Sequence, residues 1–147
     1  MKKRIIALGI VGFLLVSCSD PDLKTVASAL EDTARGVGVL QSTVINAADR
    51  GVISESTTRP LLEFALSVNR AGKVAIAVTK EWSKLEKNDR AQLLKILEPL
   101  LEKLQDSDSF VLANVQDPKA RREIQAALSL IQASLGTAQL VLVSKGQ

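Results

Sequence analysis

The sequence is missing most of the side chains on which enzymes and metal centres depend. Its 147 residues contain no histidine and no tyrosine, and only one cysteine and one tryptophan. A single cysteine can form neither an intramolecular disulfide nor a site in which several thiolates bind zinc. No Gly-x-Ser-x-Gly elbow and no glycine-rich phosphate loop occurs. We therefore predict that the protein is not an enzyme, assign no catalytic residue, and expect no metal site.

The single cysteine stands directly after an apolar run near the amino end. Lys2, Lys3 and Arg4 form a positive start, and residues 5–16 are apolar. This run is too short to cross a hydrocarbon layer of about 30 Å, which takes roughly 20 residues. A charged start, a short apolar core and small residues after it are typical of a secretory signal peptide.

The residues that end this run are Leu15, Val16, Ser17 and Cys18. They resemble the lipobox of bacterial lipoproteins, in which an aliphatic residue, a permissive residue and a small residue precede an obligatory cysteine. The resemblance implies that residues 1–17 are removed as a lipoprotein signal peptide. It further implies a diacylglyceryl group and an N-acyl chain on the cysteine, with no other cofactor. The alternative is an ordinary secretory leader with an incidental cysteine.

The expected lipid anchor also indicates a location. Two or more acyl chains hold a protein stably on a membrane, whereas one holds it only marginally. In the Gram-negative sorting pattern, Asp directly after the lipidated cysteine favours retention at the inner membrane. Here Ser19 follows Cys18, and Asp20 comes one position too late. The resemblance therefore favours the periplasmic face of the outer membrane over the inner membrane.

The charge balance gives no reason to expect nucleic acid as a partner. The whole chain has 19 Lys and Arg against 16 Asp and Glu, but three of the basic residues lie in the leader. The chain that remains after removal of the leader is balanced at 16 of each sign. Nucleic-acid-binding domains usually carry a basic excess on one face.

Helix signals dominate the rest of the chain, and sustained strand alternation does not occur. We predict an all-α fold: an antiparallel bundle of about four main helices after the N-terminal signal helix. Residues 18–20 would be the lipidated cysteine and a short tether, and residues 21–147 a single helical domain. The predicted helices run from Pro21 to Asp49, from Ser54 to about Lys87, from Arg90 to about Gln105 and from Pro118 to about Ser144. A turn at residues 106–109 and a short apolar piece at 110–115 would separate the last two.

Two glycines and two prolines lie inside the predicted helices, where these residue types are unfavourable. Gly36 and Gly38 weaken the first helix, each by about 1 kcal/mol relative to Ala, and indicate either a kink or a close helix contact. Pro60 lies near the first turns of the second helix and indicates either a bend or a later start, while Pro99 removes one hydrogen bond from the third helix and predicts a kink.

Five basic residues of the predicted second helix are spaced so that they share one side of it. Arg70, Lys73, Lys80, Lys84 and Lys87 would lie within an arc of about 100°. Such a basic ridge could contact anionic lipid headgroups or an acidic partner, each residue contributing about 1 kcal/mol near a charged surface. The alternative is a solvated face opposite the core.

The uncharged stretch of the predicted last helix is a candidate interface. Residues 124–143 carry no charge, while Gln125, Gln132 and Gln139 recur every seven residues. This pattern favours a central, almost wholly buried helix with a narrow polar seam towards water; the alternatives are self-association or docking of a partner helix.

Trp82 is the only indole and is assigned to the core, because its predicted helical stripe includes Val68 and Ala75. If it is partly exposed, it becomes a candidate interface residue.

These features together favour a lipid-anchored periplasmic protein that acts by binding. We predict an accessory, scaffold or pilot-like subunit of an envelope assembly, with the membrane and an unidentified protein as partners. One alternative is a carrier of a lipid or another hydrophobic ligand. Another is a phage or mobile-element lipoprotein that alters the host envelope. The sequence does not indicate an oligomeric state.

Overall fold

The computed structural model describes residues 20–144. The leader, with its predicted signal helix, lies outside the described residues, and so do the lipobox residues Leu15, Val16 and Ser17 and the predicted lipidation site Cys18.

The described residues form four long helices and contain no strand, which confirms the all-α prediction. The helices are α1 (Pro21–Asp49), α2 (Glu55–Lys80), α3 (Lys87–Asn114) and α4 (Pro118–Ser144). α1 packs against α2 and α4, and α3 packs against the same two helices. The described helices therefore form a bundle in which each one contacts its two neighbours around a common core.

Short loops make neighbouring helices antiparallel, as contacts at both ends of the bundle show. At one end Arg50, after α1, forms a 3.2 Å ion pair with Glu123 near the start of α4. At the other end Arg90, near the start of α3, donates to the backbone oxygen of Val141 near the end of α4 at 2.7 Å. Consecutive helices joined by short loops pack in this up-and-down order.

Three of the four described helices start after the capping residues that the sequence predicts, whereas α3 begins at Lys87 with Glu86 as its N-cap and not at Arg90 after an Asn88–Asp89 cap. The carboxylate of Asp20 accepts from the N–H of Asp22 at 2.9 Å, with Pro21 at the first helical position. Ser54 Oγ accepts from Thr57 N at 3.3 Å at the start of α2, and Asp117 Oδ1 accepts from Ala120 N at 2.7 Å at the start of α4. These side-chain oxygens accept hydrogen bonds from backbone N–H groups that have no partner within the first turn of the helix.

The predicted second helix is too long, because α2 ends at Lys80. The chain then turns through residues 81–86 and brings Leu85 into the core. The N–H of Leu85 donates to Asp20 Oδ2 at 2.8 Å. If α2 continued as a helix, the N–H of Leu85 would donate to the carbonyl of Glu81 instead. The hydrogen bond from Leu85 to Asp20 is therefore incompatible with a longer α2.

The predicted turn at residues 106–109 is also wrong, because α3 continues through it to Asn114. Leu104 and Val111 are both buried and lie seven residues apart, so continuing the helix keeps one stripe on the core. Ser107 Oγ donates to the carbonyl of Lys103 at 2.9 Å, which satisfies this turn-favouring side chain within the helix.

α1 and α4 approach each other closely at Gly36. A Cβ at this position would lie 2.9 Å from Ile131 Cγ1 and 3.4 Å from Ile131 N. Gly38 is exposed, and a Cβ there would meet no atom within 4 Å. Of the two explanations that the sequence offers for these glycines, a close helix contact therefore applies to Gly36, while no packing contact explains Gly38.

Candidate functional site

The candidate functional site is the end of the bundle at which the described chain begins, and we call it the tether end. It consists of Asp20 and the first turn of α1, the loop at residues 81–86, the first turn of α3 and the last turn of α4. The predicted lipidation site lies two residues before Asp20 in the sequence.

Asp20 fixes the start of α1 to the loop between α2 and α3. One carboxylate oxygen caps α1, and the other accepts from the N–H of Leu85. These hydrogen bonds favour the ionised carboxylate and hold the pKa of Asp20 below its ordinary value of 3.8, the bond from Leu85 being the largest cause. The point at which the chain enters the bundle is therefore held from two sides.

Arg90 joins three helices at the same end. Its side chain forms a 3.0 Å ion pair with Asp22 of α1, and the two side chains are 9% and 20% exposed. Its second terminal nitrogen donates to the carbonyl of Val141 in α4. The planar guanidinium can make both bonds at once, which the point charge of a lysine would not reproduce.

Sequence reasoning missed the role of Arg90, which it treated only as the start of the third helix. Arg90 precedes the buried Leu93 and Leu97 by three and seven residues, so it occupies the inward-facing register of α3. A lone charge in an apolar register was the signal available, because such a charge needs a partner when buried.

Trp82 lies in the loop after α2, so the helical stripe that placed it beside Val68 and Ala75 does not reach it. Its ring is half-buried and packs against the edge of the core. The side chain is therefore partly exposed at the tether end, which is the condition under which the sequence makes it a candidate interface residue.

The predicted basic ridge is divided among three elements. Arg70, Lys73 and Lys80 lie on α2, Lys84 lies in the loop, and Lys87 begins α3. All five are exposed. The prediction that all five residues share one side of a single helix is therefore wrong, because α2 ends at Lys80.

Lys84 interacts with a neighbour in its own loop. Its Nζ lies 3.0 Å from Glu86 Oε1, and this hydrogen bond raises the pKa of the lysine. Both side chains are exposed, so the pair contributes little to stability.

α4 is less buried than the sequence predicts. Gln125 is half-buried and donates to Asp108 Oδ1 at 3.3 Å, Gln132 is exposed and Gln139 is half-buried. The three glutamines therefore do not form a uniform seam towards water. Leu140, by contrast, is 72% exposed. The predicted nearly complete burial is wrong, because a helix at the corner of a four-helix bundle covers only part of its surface.

By length and composition α4 could cross a bilayer. Its most apolar stretch has a mean hydropathy of 1.6, and 39% of that stretch is buried in the bundle. The buried share includes Leu128, Ile131 and Leu135, which contribute to the core. α4 therefore combines a core-facing side with an outward side that carries no charge from residue 124 to residue 144.

A groove of about 440 Å³ runs between the first half of α1 and the second half of α4. Six of its eight lining residues are polar: Lys24, Thr25, Ser28, Asp32, Ser134 and Thr137, with Ala29 and Ala133 completing the lining. No aromatic side chain and no leucine, isoleucine or valine lines the groove, so it lacks the large apolar side chains that usually hold an acyl chain.

Within residues 20–144, no group of three or more His, Cys, Asp or Glu side chains is placed to hold a metal ion. No protein-family model, curated protein or solved structure matches the chain.

Proposed function

We propose that this chain is a lipid-anchored protein of the bacterial periplasm that acts by binding, as an accessory or scaffold subunit of an envelope assembly. Its anchor would be the diacylglyceryl and N-acyl groups on Cys18, and the outer membrane is the favoured location. The observation that carries the proposal is the lipobox-like Leu15–Cys18 directly after a leader with a charged start and a short apolar core.

The position of the anchor supports this proposal. Only Ser19 lies between Cys18 and Asp20, and Asp20 is held by hydrogen bonds to both α1 and the loop at residues 81–86. A flexible linker would let the bundle move away from the membrane. This short connection would instead keep it close, as suits a subunit whose partner is at the membrane.

The chemistry of the bundle surface supports binding over carriage of an acyl chain. No aromatic side chain and no leucine, isoleucine or valine lines the groove between α1 and α4, whereas sites for apolar ligands are lined mostly by hydrophobic and aromatic residues. Four helices with no histidine also offer few groups for proton transfer near neutral pH.

The first test is mass spectrometry of the mature protein purified from membranes. We expect an amino terminus at Cys18 carrying a diacylglyceryl group and an amide-linked acyl chain, while Cys18→Ala should keep its leader or be released without lipid. An unmodified Cys18 in the wild-type protein would contradict the proposal.

The second test concerns binding and sorting. Proteins that co-purify with the wild-type chain but not with Cys18→Ala would be partners that need the anchor, and identical sets for both forms would remove the anchor from the binding role. Ser19→Asp should move the protein towards the inner membrane in fractionation, because Asp would then directly follow the lipidated cysteine.

A further inference from the structure

We propose that the tether end of the bundle is a bilayer-contact surface, on which Leu140, Val143 and Trp82 enter the interfacial layer of the membrane. This inference rests on the proposed lipid anchor at Cys18. It adds a defined orientation, in which the bundle stands on the membrane with the tether end down.

The length of the tether brings this end to the membrane. Two residues span at most about 7 Å when extended, so the α-carbon of Asp20 lies within about 7 Å of that of Cys18. The polar layer on each side of a bilayer is roughly 5–7 Å thick. An acylated Cys18 sits at this layer, and Asp20 is fixed to the loop at residues 81–86. The end of the bundle must then lie against the headgroups.

The last turns of α4 belong to this same end. Arg90 bonds both to Asp22 near the start of α1 and to the carbonyl of Val141. Two of the exposed residues beside that carbonyl are apolar, with Leu140 72% exposed and Val143 50% exposed, and a third, Ser144, is uncharged. Leu140 and Val143 are three residues apart and so project about 60° from each other on the helix.

The composition of this surface matches what membrane interfaces favour. α4 carries no charge between residues 124 and 144, so Leu140 and Val143 can approach the acyl boundary without taking a charge with them. Trp82, at the same end, is half-buried, and tryptophan is enriched at membrane–water interfaces because its ring is amphipathic.

The charged residues at this end show no basic excess: Lys24, Lys84, Lys87 and Arg90 stand against Asp20, Asp22, Glu81, Glu86 and Asp89. Lys84 pairs with Glu86, and Arg90 pairs with Asp22. The attraction to the bilayer would therefore be apolar, and anionic lipid is not required. This separates the inference from the basic-ridge hypothesis, which needs a negatively charged surface.

A label at the contact surface tests the inference, since Cys18 is the only cysteine and would be occupied by lipid. An environment-sensitive fluorophore is attached to Leu140→Cys or Val143→Cys in the full-length protein, expressed and lipidated in cells and reconstituted in phosphatidylcholine vesicles. Leu112→Cys is the matched control: Leu112 is 51% exposed and lies 25 residues along α3 from Lys87, about 38 Å away.

We expect the emission of labels at 140 and 143 to shift to the blue and to be quenched by a lipid-borne quencher. The label at 112 should keep its aqueous emission and respond only to a water-soluble quencher. Equal responses at both ends, or an aqueous label at 140 in vesicle-bound protein, would overturn the inference and leave the proposed function standing. A label at 140 shielded from both quenchers would also overturn it, indicating a protein neighbour such as a second copy. Protein that carries no lipid and stays in solution would overturn the proposed function and this inference with it.

The unsubstituted protein gives an independent measurement. Trp82 is the only tryptophan, so all indole emission comes from the tether end. We expect vesicles containing brominated lipids to quench this emission relative to vesicles without bromine. Emission unchanged by bromine would place the loop at residues 81–86 away from the bilayer and overturn the inference.

Discussion

The close approach of α1 and α4 at Gly36 makes a quantitative prediction, because Gly38 supplies a control in the same helix. Both glycines lie inside α1, so replacing either by Ala should stabilise the helix by about 1 kcal/mol through intrinsic propensity. At Gly38 nothing opposes this gain, since a Cβ would meet no atom within 4 Å.

At Gly36 the new methyl group would meet the core. It would lie 2.9 Å from Cγ1 of Ile131, a side chain that is fully buried, and 3.4 Å from the backbone nitrogen of the same residue. Overpacking of this kind costs roughly 1–3 kcal/mol. We therefore expect the free energy of unfolding of Gly36→Ala to be about 1–3 kcal/mol below that of Gly38→Ala.

Urea denaturation followed by helical circular dichroism measures this difference directly. Because the propensity gain is common to both variants, the difference reports the contact alone. In an Ile131→Ala background the clashing atom is gone, so the extra cost of Gly36→Ala should become small. If Gly36→Ala proves as stable as Gly38→Ala, the reasoning that α1 and α4 require glycine at this contact is refuted.

Two further predictions concern the tether end. Arg90→Ala should lower the free energy of unfolding by about 3 kcal/mol, because it leaves Asp22 partly buried without its ion pair; Arg35→Ala, which breaks a pair whose side chains are 75% and 49% exposed, should cost less than about 1 kcal/mol. Equal losses for the two variants in urea denaturation would contradict the role of Arg90. Because the folded pKa of Asp20 lies below its ordinary value of 3.8, the stability that its carboxylate contributes is present above that value and is lost as the pH falls through the folded pKa. Asp20→Asn should therefore lose less stability than the wild-type protein between about pH 6 and pH 2, and identical losses in acid titrations of the urea midpoint would contradict this assignment.

Local signals predicted the starts of α1, α2 and α4, but not the N-cap of α3, which is Glu86. The capping residues Asp20, Ser54 and Asp117 act on N–H groups two or three residues away, so their effect is contained within a short stretch of sequence. The end of α1 is equally local, since Gly51 adopts a positive φ of 69° that glycine tolerates best.

The end of α2 and the role of Arg90 were not predicted, because both depend on contacts between segments that are distant in the sequence. α2 ends at Lys80 because Leu85 turns into the core and bonds to Asp20, which is 65 residues away in the sequence. The partner of Arg90 in α1 is 68 residues away. The spacing of nearby residues places Arg90 in the inward-facing register of α3, but it identifies neither the partner of Arg90 nor that of Leu85.

The candidate surface on α4 was predicted only in part. The absence of charge was visible in the sequence and was interpreted as burial. The side of a bundle helix that faces the core is one stripe, so an uncharged helix at a corner must leave apolar side chains such as Leu140 outside. Which side they take depends on how α4 packs between α1 and α3.

The described chain crosses the bundle an even number of times, and this parity has a practical consequence. Ser144 returns to the end where Pro21 begins, so a reporter fused beyond residue 144 would crowd the tether end, where the proposed anchor enters. The connections at residues 50–54 and 115–117 emerge at the opposite pole, about 40 Å away along helices of this length. A tag inserted in either connection would lie at the end of the bundle farthest from Asp20, and so farthest from the proposed anchor.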